Sequence, residues 1–82
     1  MAGLLPHLAN ACREARLGAH ARQLDIATRL GVSETTVGRF ERGRHWPHRT
    51  DEIVAAYADE LGLPVVEFWA RALAAWGLEG GQ

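Results

Sequence analysis

Residues 23–43, QLDIATRLGVSETTVGRFERG, constrain the fold more than any other stretch of the chain. Ile26, Ala27 and Leu30 recur at helical spacing, which predicts a short helix with one apolar face. Gly31 follows directly, and glycine adopts the left-handed conformation at a helix end at no steric cost. The first part of this stretch therefore predicts a helix that ends in a tight turn.

A second short helix is predicted to begin at Ser33, because serine is a preferred N-cap residue. Val37 and Phe40 lie three residues apart and give this helix an inward side, and Gly43 ends it. The other faces carry Glu34, Thr35, Gly38, Arg39 and Arg42. The stretch thus indicates two helices joined by a turn, the second with a polar outer face.

The run LGVSETTVGRFERG resembles the helix-turn-helix of the Cro and lambda-repressor-like DNA-binding proteins, also called the XRE family. Their pattern runs Leu-Gly-Val-Ser, then a helix, then Glu-Arg/Asn-Gly. The resemblance covers roughly residues 10–70 and is strongest from Ile26 to Gly43. It implies an all-α fold, a compact five-helix lambda-repressor-like bundle, in which the second helix of the pair lies in the major groove of DNA.

Three further helices follow from apolar periodicity and from residues typical of helix ends. Helix 1 is expected from near Leu4 to near Leu17, helix 4 is capped by Thr50, and helix 5 has Pro64 in its first turn. The residues expected to face inward are Leu4, Leu5, Leu8, Ala11, Cys12 and Ala15 in helix 1, and Ile53, Val54, Tyr57, Ala58 and Leu61 in helix 4. At 82 residues the chain fits one domain, expected over residues 1–77 with a flexible tail at 78–82.

Helix 5 carries a broader apolar stripe than a core of this size requires. The stripe consists of Val65, Phe68, Trp69, Ala72, Leu73 and Trp76. Exposed apolar patches usually mark an interface, so we expect a homodimer in which helix 5 contributes Phe68, Trp69, Leu73 and Trp76. The alternative is that both tryptophans belong to the core.

The charge is unevenly spread along a chain whose net charge is −1. Residues 13–49 hold eight arginines against four acidic residues, a net +4, whereas residues 50–82 hold one arginine against six acidic residues, a net −5. The positive half contains the predicted helix pair, as expected for a DNA-facing surface. Chance segregation of charge remains the alternative.

Three residues of the second helix are the predicted base readers: Glu34, Thr35 and Arg39. Arg39 can donate two hydrogen bonds to guanine O6 and N7, and Glu34 can accept one from cytosine N4. An acidic residue in the first turn also stabilises the helix dipole without DNA, so Glu34 has a second explanation. The residues expected at the DNA backbone are Arg22, Gln23, Ser33, Thr36, Arg42, Arg44, His45 and Arg49.

Two family features bear on the support of the second helix. The resemblance implies a structural ion pair between an arginine of helix 1 and the glutamate of the Glu-Arg/Asn-Gly motif, by position Arg13 and Glu41. The chain departs from the family at LGAHAR, residues 17–22, which is about three residues longer and lacks a capping hydroxyl. This insertion either lengthens a helix or enlarges a loop. It leaves open whether Gln23 has its family role, in which the residue sits at the helix N-terminus and touches the DNA backbone or a base edge.

The functional prediction is a sequence-specific regulator that binds double-stranded DNA, a repressor acting as a dimer on a pseudo-palindromic operator. The alternative is a protein-interaction module, such as the antitoxin of a toxin–antitoxin pair or a coactivator bridge. No catalytic grouping, phosphate loop or zinc-site spacing appears, so no enzyme activity, metal, cofactor or small-molecule ligand is expected. One cysteine and no signal-like or membrane-spanning run indicate a cytoplasmic, nucleoid-associated protein without membrane contact.

Overall fold

Five α-helices make up the fold in a computed structural model that describes residues 3–44 and 50–78. The helices are α1 (Leu4–Gly18), α2 (Gln23–Leu30), α3 (Glu34–Glu41), α4 (Thr50–Leu61) and α5 (Val65–Leu78). The all-α prediction with five helices is confirmed. Leu78, expected in the tail, is the last residue of α5, and residues 79–82 lie outside the described part of the chain.

The turn between α2 and α3 forms as its residues predict. Gly31 is left-handed, with φ 71°, and the N–H of Val32 returns to the carbonyl of Ala27 over 3.1 Å. Ser33 caps α3, because its hydroxyl accepts a hydrogen bond from the backbone N–H of Thr36 at 3.2 Å. This turn fixes where α3 starts relative to α2.

The insertion at residues 17–22 forms the last two residues of α1 and the four-residue connection to α2. Helix α1 ends at Gly18, and His20 takes a left-handed conformation with φ 58°. The start of α2 lacks a capping hydroxyl, and the Asp25 carboxylate compensates by accepting hydrogen bonds from the Arg22 backbone N–H at 2.9 Å and from Arg22 Nη2 at 3.0 Å. The loop therefore delivers Gln23 to the first position of α2.

One apolar core lies between the helices, and three aromatic rings run through it. The ring of Tyr57 in α4 lies 5.7 Å from that of Phe40 in α3 and 6.4 Å from that of Phe68 in α5. All three side chains are buried, so they connect α3 to the last helix through α4. The inward set predicted for α4 is confirmed, with Leu61 partly buried against the core.

Cys12 belongs to this core and is fully buried. Burial, together with the nearby Glu41 carboxylate, raises the pKa of its thiol to about 12. The thiol is therefore a small core side chain that stays protonated at neutral pH, and its interpretation as a core residue is correct.

Two expectations about apolar residues are wrong. Leu5 is 42% exposed because it lies on the solvent side of α1. Phe68 has no exposed surface and packs inside the core with Ala72, so it is unavailable to a dimer interface. In α5, Val65 is exposed, Leu73 is 50% exposed, and Trp69 is only partly buried against the core.

Candidate nucleic-acid interface

The three predicted base readers share the outer side of α3. Glu34, Thr35 and Arg39 are all exposed, while Val37 and Phe40 of the same helix are buried. Helical spacing produces this division, because the apolar pair faces the core and the polar residues fall on the remaining faces. The side chains are thus accessible to a ligand, and base reading by them stays a prediction.

A shallow hollow of about 270 Å³ opens beside α3. It is lined by Gln23, Glu34, Thr35, Gly38 and Arg42, and it is called here the Gly38 hollow. A Cβ atom built on Gly38 would lie 3.5 Å from Arg42 Nη1 and 3.7 Å from both Nε2 and Oε1 of Gln23. The glycine therefore forms the floor of the hollow, with the Gln23 amide and the Arg42 guanidinium close above it.

A buried ion pair joins α1 to the end of α3, and it involves Arg16 instead of the predicted Arg13. Arg16 Nε donates to Glu41 Oε2 at 2.8 Å, and Arg16 Nη2 donates to Glu41 Oε1 at 2.9 Å. Arg13 is exposed, because it lies on the solvent side of α1. Helical spacing could have identified the correct arginine. Arg16 lies four residues after the buried Cys12 and so on the same side of α1, whereas Arg13 does not.

Two further side chains donate to the same carboxylate. The Tyr57 hydroxyl donates to Glu41 Oε2 at 2.6 Å, and Gln23 Nε2 donates to Glu41 Oε1 at 3.1 Å. Arg16, Gln23, Glu41 and Tyr57 come from four different helices, and they are called here the Glu41 network. The network fixes α3 against α1, α2 and α4 at once.

Hydrogen bonding keeps Glu41 charged inside the protein. Burial alone would raise the pKa of its carboxyl, but the hydrogen bonds from Arg16, Tyr57 and Gln23 outweigh burial and hold that pKa below its usual value. Burial and the hydrogen bond to Glu41 raise the pKa of the Tyr57 hydroxyl far above its usual value. The pair is therefore an ionised glutamate with a neutral tyrosine, and the tyrosine hydroxyl donates to the carboxylate.

Six of the eight residues predicted at the DNA backbone lie in the described part of the chain, and two of them, Gln23 and Arg42, line the Gly38 hollow. Arg22, Arg42 and Arg44 are exposed, although the Arg22 guanidinium is hydrogen-bonded to Asp25. The hydroxyls of Ser33 and Thr36 lie 2.9 Å apart and are hydrogen-bonded to each other. The predictions for His45 and Arg49 fall outside the described residues.

Gln23 is the residue whose role differs most from the expectation. It was predicted at the DNA backbone, yet its amide bonds to the buried Glu41 and also lines the Gly38 hollow. Sequence reasoning gave no sign of this bond, nor of the hydrogen bond from Tyr57, because both depend on the packing of separate helices.

The remaining surfaces show no comparable arrangement in residues 3–44 and 50–78. A salt bridge of 2.6 Å between Arg29 and Glu60 joins α2 to α4. No group of three or more His, Cys, Asp or Glu side chains within these ranges is placed to hold a metal ion. No helix in the described part of the chain has the length and apolarity required to cross a membrane.

Comparison with known proteins places this geometry in context. A family model described as a helix-turn-helix domain matches residues 7–76, a span that includes most of α1, nearly all of α5 and every member of the Glu41 network. No curated protein and no solved structure gives a significant match to the chain.

Proposed function

The chain belongs to the helix-turn-helix domain family, and on that premise we propose that it is a sequence-specific regulator of transcription that binds double-stranded DNA. Helix α3 is the recognition helix of this proposal and enters the major groove. The premise agrees with the resemblance to the Cro and lambda-repressor-like proteins. The proposed activity is binding alone, with no chemical step and no cofactor, and its place is the cytoplasm, on the nucleoid.

One observation supports the proposal above the others: α3 has an exposed polar side on a firmly held backbone. The Glu41 network fixes the end of α3, and Val37 and Phe40 anchor its inner side. A side chain that reads a base edge must arrive in a defined orientation, because the donor and acceptor pattern of the groove is directional. In this proposal Glu34, Thr35 and Arg39 read bases.

The charge distribution supports the same surface. Residues 13–49 have a net charge of +4, and Arg22, Arg42 and Arg44 are exposed within that half. Arginines of this kind bind phosphate and set the register of the protein without reading sequence. We assign the backbone contacts to these three arginines.

We extend the proposal to a repressor that acts as a dimer on a pseudo-palindromic operator. The corrected interface omits Phe68 and consists of Trp69, Leu73 and Trp76, because half of Leu73 is exposed and neither tryptophan is fully buried. Two copies joined through α5 would present two recognition helices to half-sites about one helical turn apart.

The second candidate function is a protein-interaction module, and the exposed apolar residues of α5 favour it. Val65, Val66, Leu73 and Leu78 are 43%, 68%, 50% and 90% exposed. A different protein could cover this surface, as in an antitoxin or a coactivator bridge. DNA binding would then be secondary, and loss of Arg39 would leave the main activity unchanged.

A titration of labelled DNA duplex against salt separates the two candidates. A regulator that displaces several counterions shows a linear fall of log affinity with log salt, about −0.9 for each phosphate contacted. The double variant Thr35→Ala with Arg39→Ala should lose preference for the selected duplex, and Arg71→Ala on α5 serves as the matched arginine control. A flat salt dependence, or a preference unchanged in the double variant, would contradict the regulator.

A further inference from the structure

The Gln23 amide is held in one orientation by the group it contacts. Its Nε2 donates to Oε1 of Glu41 over 3.1 Å, and the Glu41 side chain is only 1% exposed. An ionised carboxylate has no hydrogen to donate, so only the NH₂ end of an amide can face it. Exchanging the two ends would replace this hydrogen bond by a repulsive contact between two oxygen atoms.

This constraint determines which end of Gln23 is left for a ligand. The hydrogen bond to Glu41 uses Nε2, so Oε1 is the end of the amide that remains to accept a hydrogen bond from a ligand. Both Oε1 and Nε2 lie 3.7 Å from the position of a Cβ on Gly38, so the amide lies across the glycine and over the floor of the Gly38 hollow. The hollow contains two predicted base readers, Glu34 and Thr35. A hydrogen-bond acceptor is therefore available at the recognition surface.

We infer that Glu41 is a positioning residue for DNA recognition, which holds Gln23 so that its carbonyl oxygen accepts a hydrogen bond from the exocyclic amine of a base. In the major groove such amines are N6 of adenine and N4 of cytosine. The inference rests on the proposed function, and it adds a fourth base reader together with the buried group that orients it.

The two ends of the Gln23 amide suit a base better than a phosphate. Phosphate oxygens only accept hydrogen bonds, so they need the NH₂ end of the amide. That end already donates one of its two hydrogens to Glu41. Arg42 also lines the Gly38 hollow, and its charged guanidinium supplies several donors suited to a phosphate. In this inference Arg42 contacts the DNA backbone and Gln23 contacts a base.

Selection of bound duplexes from a randomised pool tests the role of Gln23. The full chain and its Gln23→Ala variant are selected in parallel, and the variant should lose preference at one base-pair position in each half-site while the others persist. Affinity for the preferred duplex should fall about 5- to 150-fold, the equivalent of one good base contact. A uniform loss of affinity on all sequences would indicate a phosphate contact and would overturn the inference.

Glu41→Gln tests the orienting role, because an amide at this position can both donate and accept. The variant should accept more than one base at the base pair that Gln23 reads. Either end of the Gln23 amide can then form a hydrogen bond with residue 41, so its orientation is no longer fixed. Tyr57→Phe is the control, because it removes a hydrogen bond to Glu41 and leaves the Gln23 contact in place. A purely structural role of Glu41 would lower stability in both variants and leave both preferences unchanged, which would contradict the inference.

A base analogue covers the case in which Glu41→Gln does not fold. Purine lacking the 6-amino group, or the corresponding cytosine analogue without its 4-amino group, is placed at the position identified in the pool. The substitution should weaken binding of the unmodified chain and have no further effect on Gln23→Ala. If the unmodified chain selects no sequence at all, the proposed function fails; if it selects one that Gln23→Ala leaves unchanged, only this inference fails.

Discussion

The Arg16 guanidinium donates two hydrogen bonds to the Glu41 carboxylate, at 2.8 Å from Nε and 2.9 Å from Nη2. This contact joins the first helix to the last residue of α3 across 25 positions of sequence. A helix of eight residues is not stable alone in water, so the orientation of α3 depends on such tertiary contacts. The ion pair consequently links the fold of the domain to the surface proposed to read DNA.

Replacing Arg16 by alanine should destabilise the domain strongly, whereas the same change at Arg13 should not. Arg16→Ala leaves a buried, unpaired carboxylate and also removes the hydrogen bond from Nη1 to the Ala21 carbonyl at 3.0 Å. We expect a loss of about 3–5 kcal/mol in the free energy of unfolding. Arg13 is exposed, so Arg13→Ala should change it by less than about 0.5 kcal/mol. Urea denaturation of both variants measures the difference, and equal losses would contradict the assignment.

Acid should destabilise the domain through Glu41. The pKa of this carboxyl is lower in the folded protein than its ordinary value of 4.5. The contribution of ionised Glu41 to folding stability is therefore complete above about pH 4.5 and is lost as pH falls through the folded pKa. Tyr57→Phe removes one hydrogen bond to the carboxylate, so it should move the acid unfolding midpoint to higher pH. Circular dichroism during acid titration measures the midpoint. Asp25→Asn, at a more exposed carboxylate, is the comparison, and a larger shift there would assign the acid sensitivity to α2 instead.

Replacing Gly38 by alanine should separate stability from DNA binding. The new Cβ meets its nearest neighbours at 3.5 Å and 3.7 Å, which is ordinary contact, and alanine is favoured over glycine in a helix by about 1 kcal/mol. The melting temperature should therefore rise. DNA affinity should fall, because the methyl group fills the floor of the Gly38 hollow beneath Gln23 and Arg42.

Gly77→Ala provides the matched control for that experiment. Gly77 lies near the end of α5, and a Cβ built there meets nothing within 4 Å. This variant should gain stability without any change in DNA affinity. If Gly38→Ala binds DNA as tightly as the unmodified chain, the hollow has no part in recognition.

The dimer proposal predicts different results for two apolar residues of α5. Leu73 is 50% exposed, so Leu73→Asp should shift sedimentation towards the monomer while the folded domain keeps its helical signal. Phe68 is fully buried, so Phe68→Ala should cost about 3–5 kcal/mol of folding stability instead. If Leu73→Asp sediments like the unmodified chain, the proposed dimer interface on α5 is contradicted. The measurement requires a concentration series, because mass action sets the dimer fraction.

Local patterns in the sequence predicted the helices and the turn, because these depend on neighbouring residues. Gly31 and Ser33 fixed the junction of α2 and α3 without reference to the rest of the molecule. The ion-pair partner was misplaced by three residues, since a residue count along α1 does not tell which side of the helix meets α3. The contacts of Gln23 and Tyr57 with Glu41 join residues 18 and 16 positions apart, and no local pattern encodes them.

The burial of Phe68 could not be predicted from sequence either. The apolar stripe of α5 correctly indicated an apolar helix, but composition does not divide such a stripe between the interior and a partner. The division follows from where Tyr57 and α1 pack, and only the arrangement of helices supplies that information.

Helix α1 packs more extensively on α5 than any other pair of helices does on each other, although 46 residues separate the end of one from the start of the other. During synthesis the ribosome releases the N-terminal part first, so α1 emerges long before the surface that covers it exists. Helices α2 and α3 likewise emerge before α4 and α5, the helices that complete their packing. The domain can therefore complete its fold only after α5 has left the ribosome and covered α1.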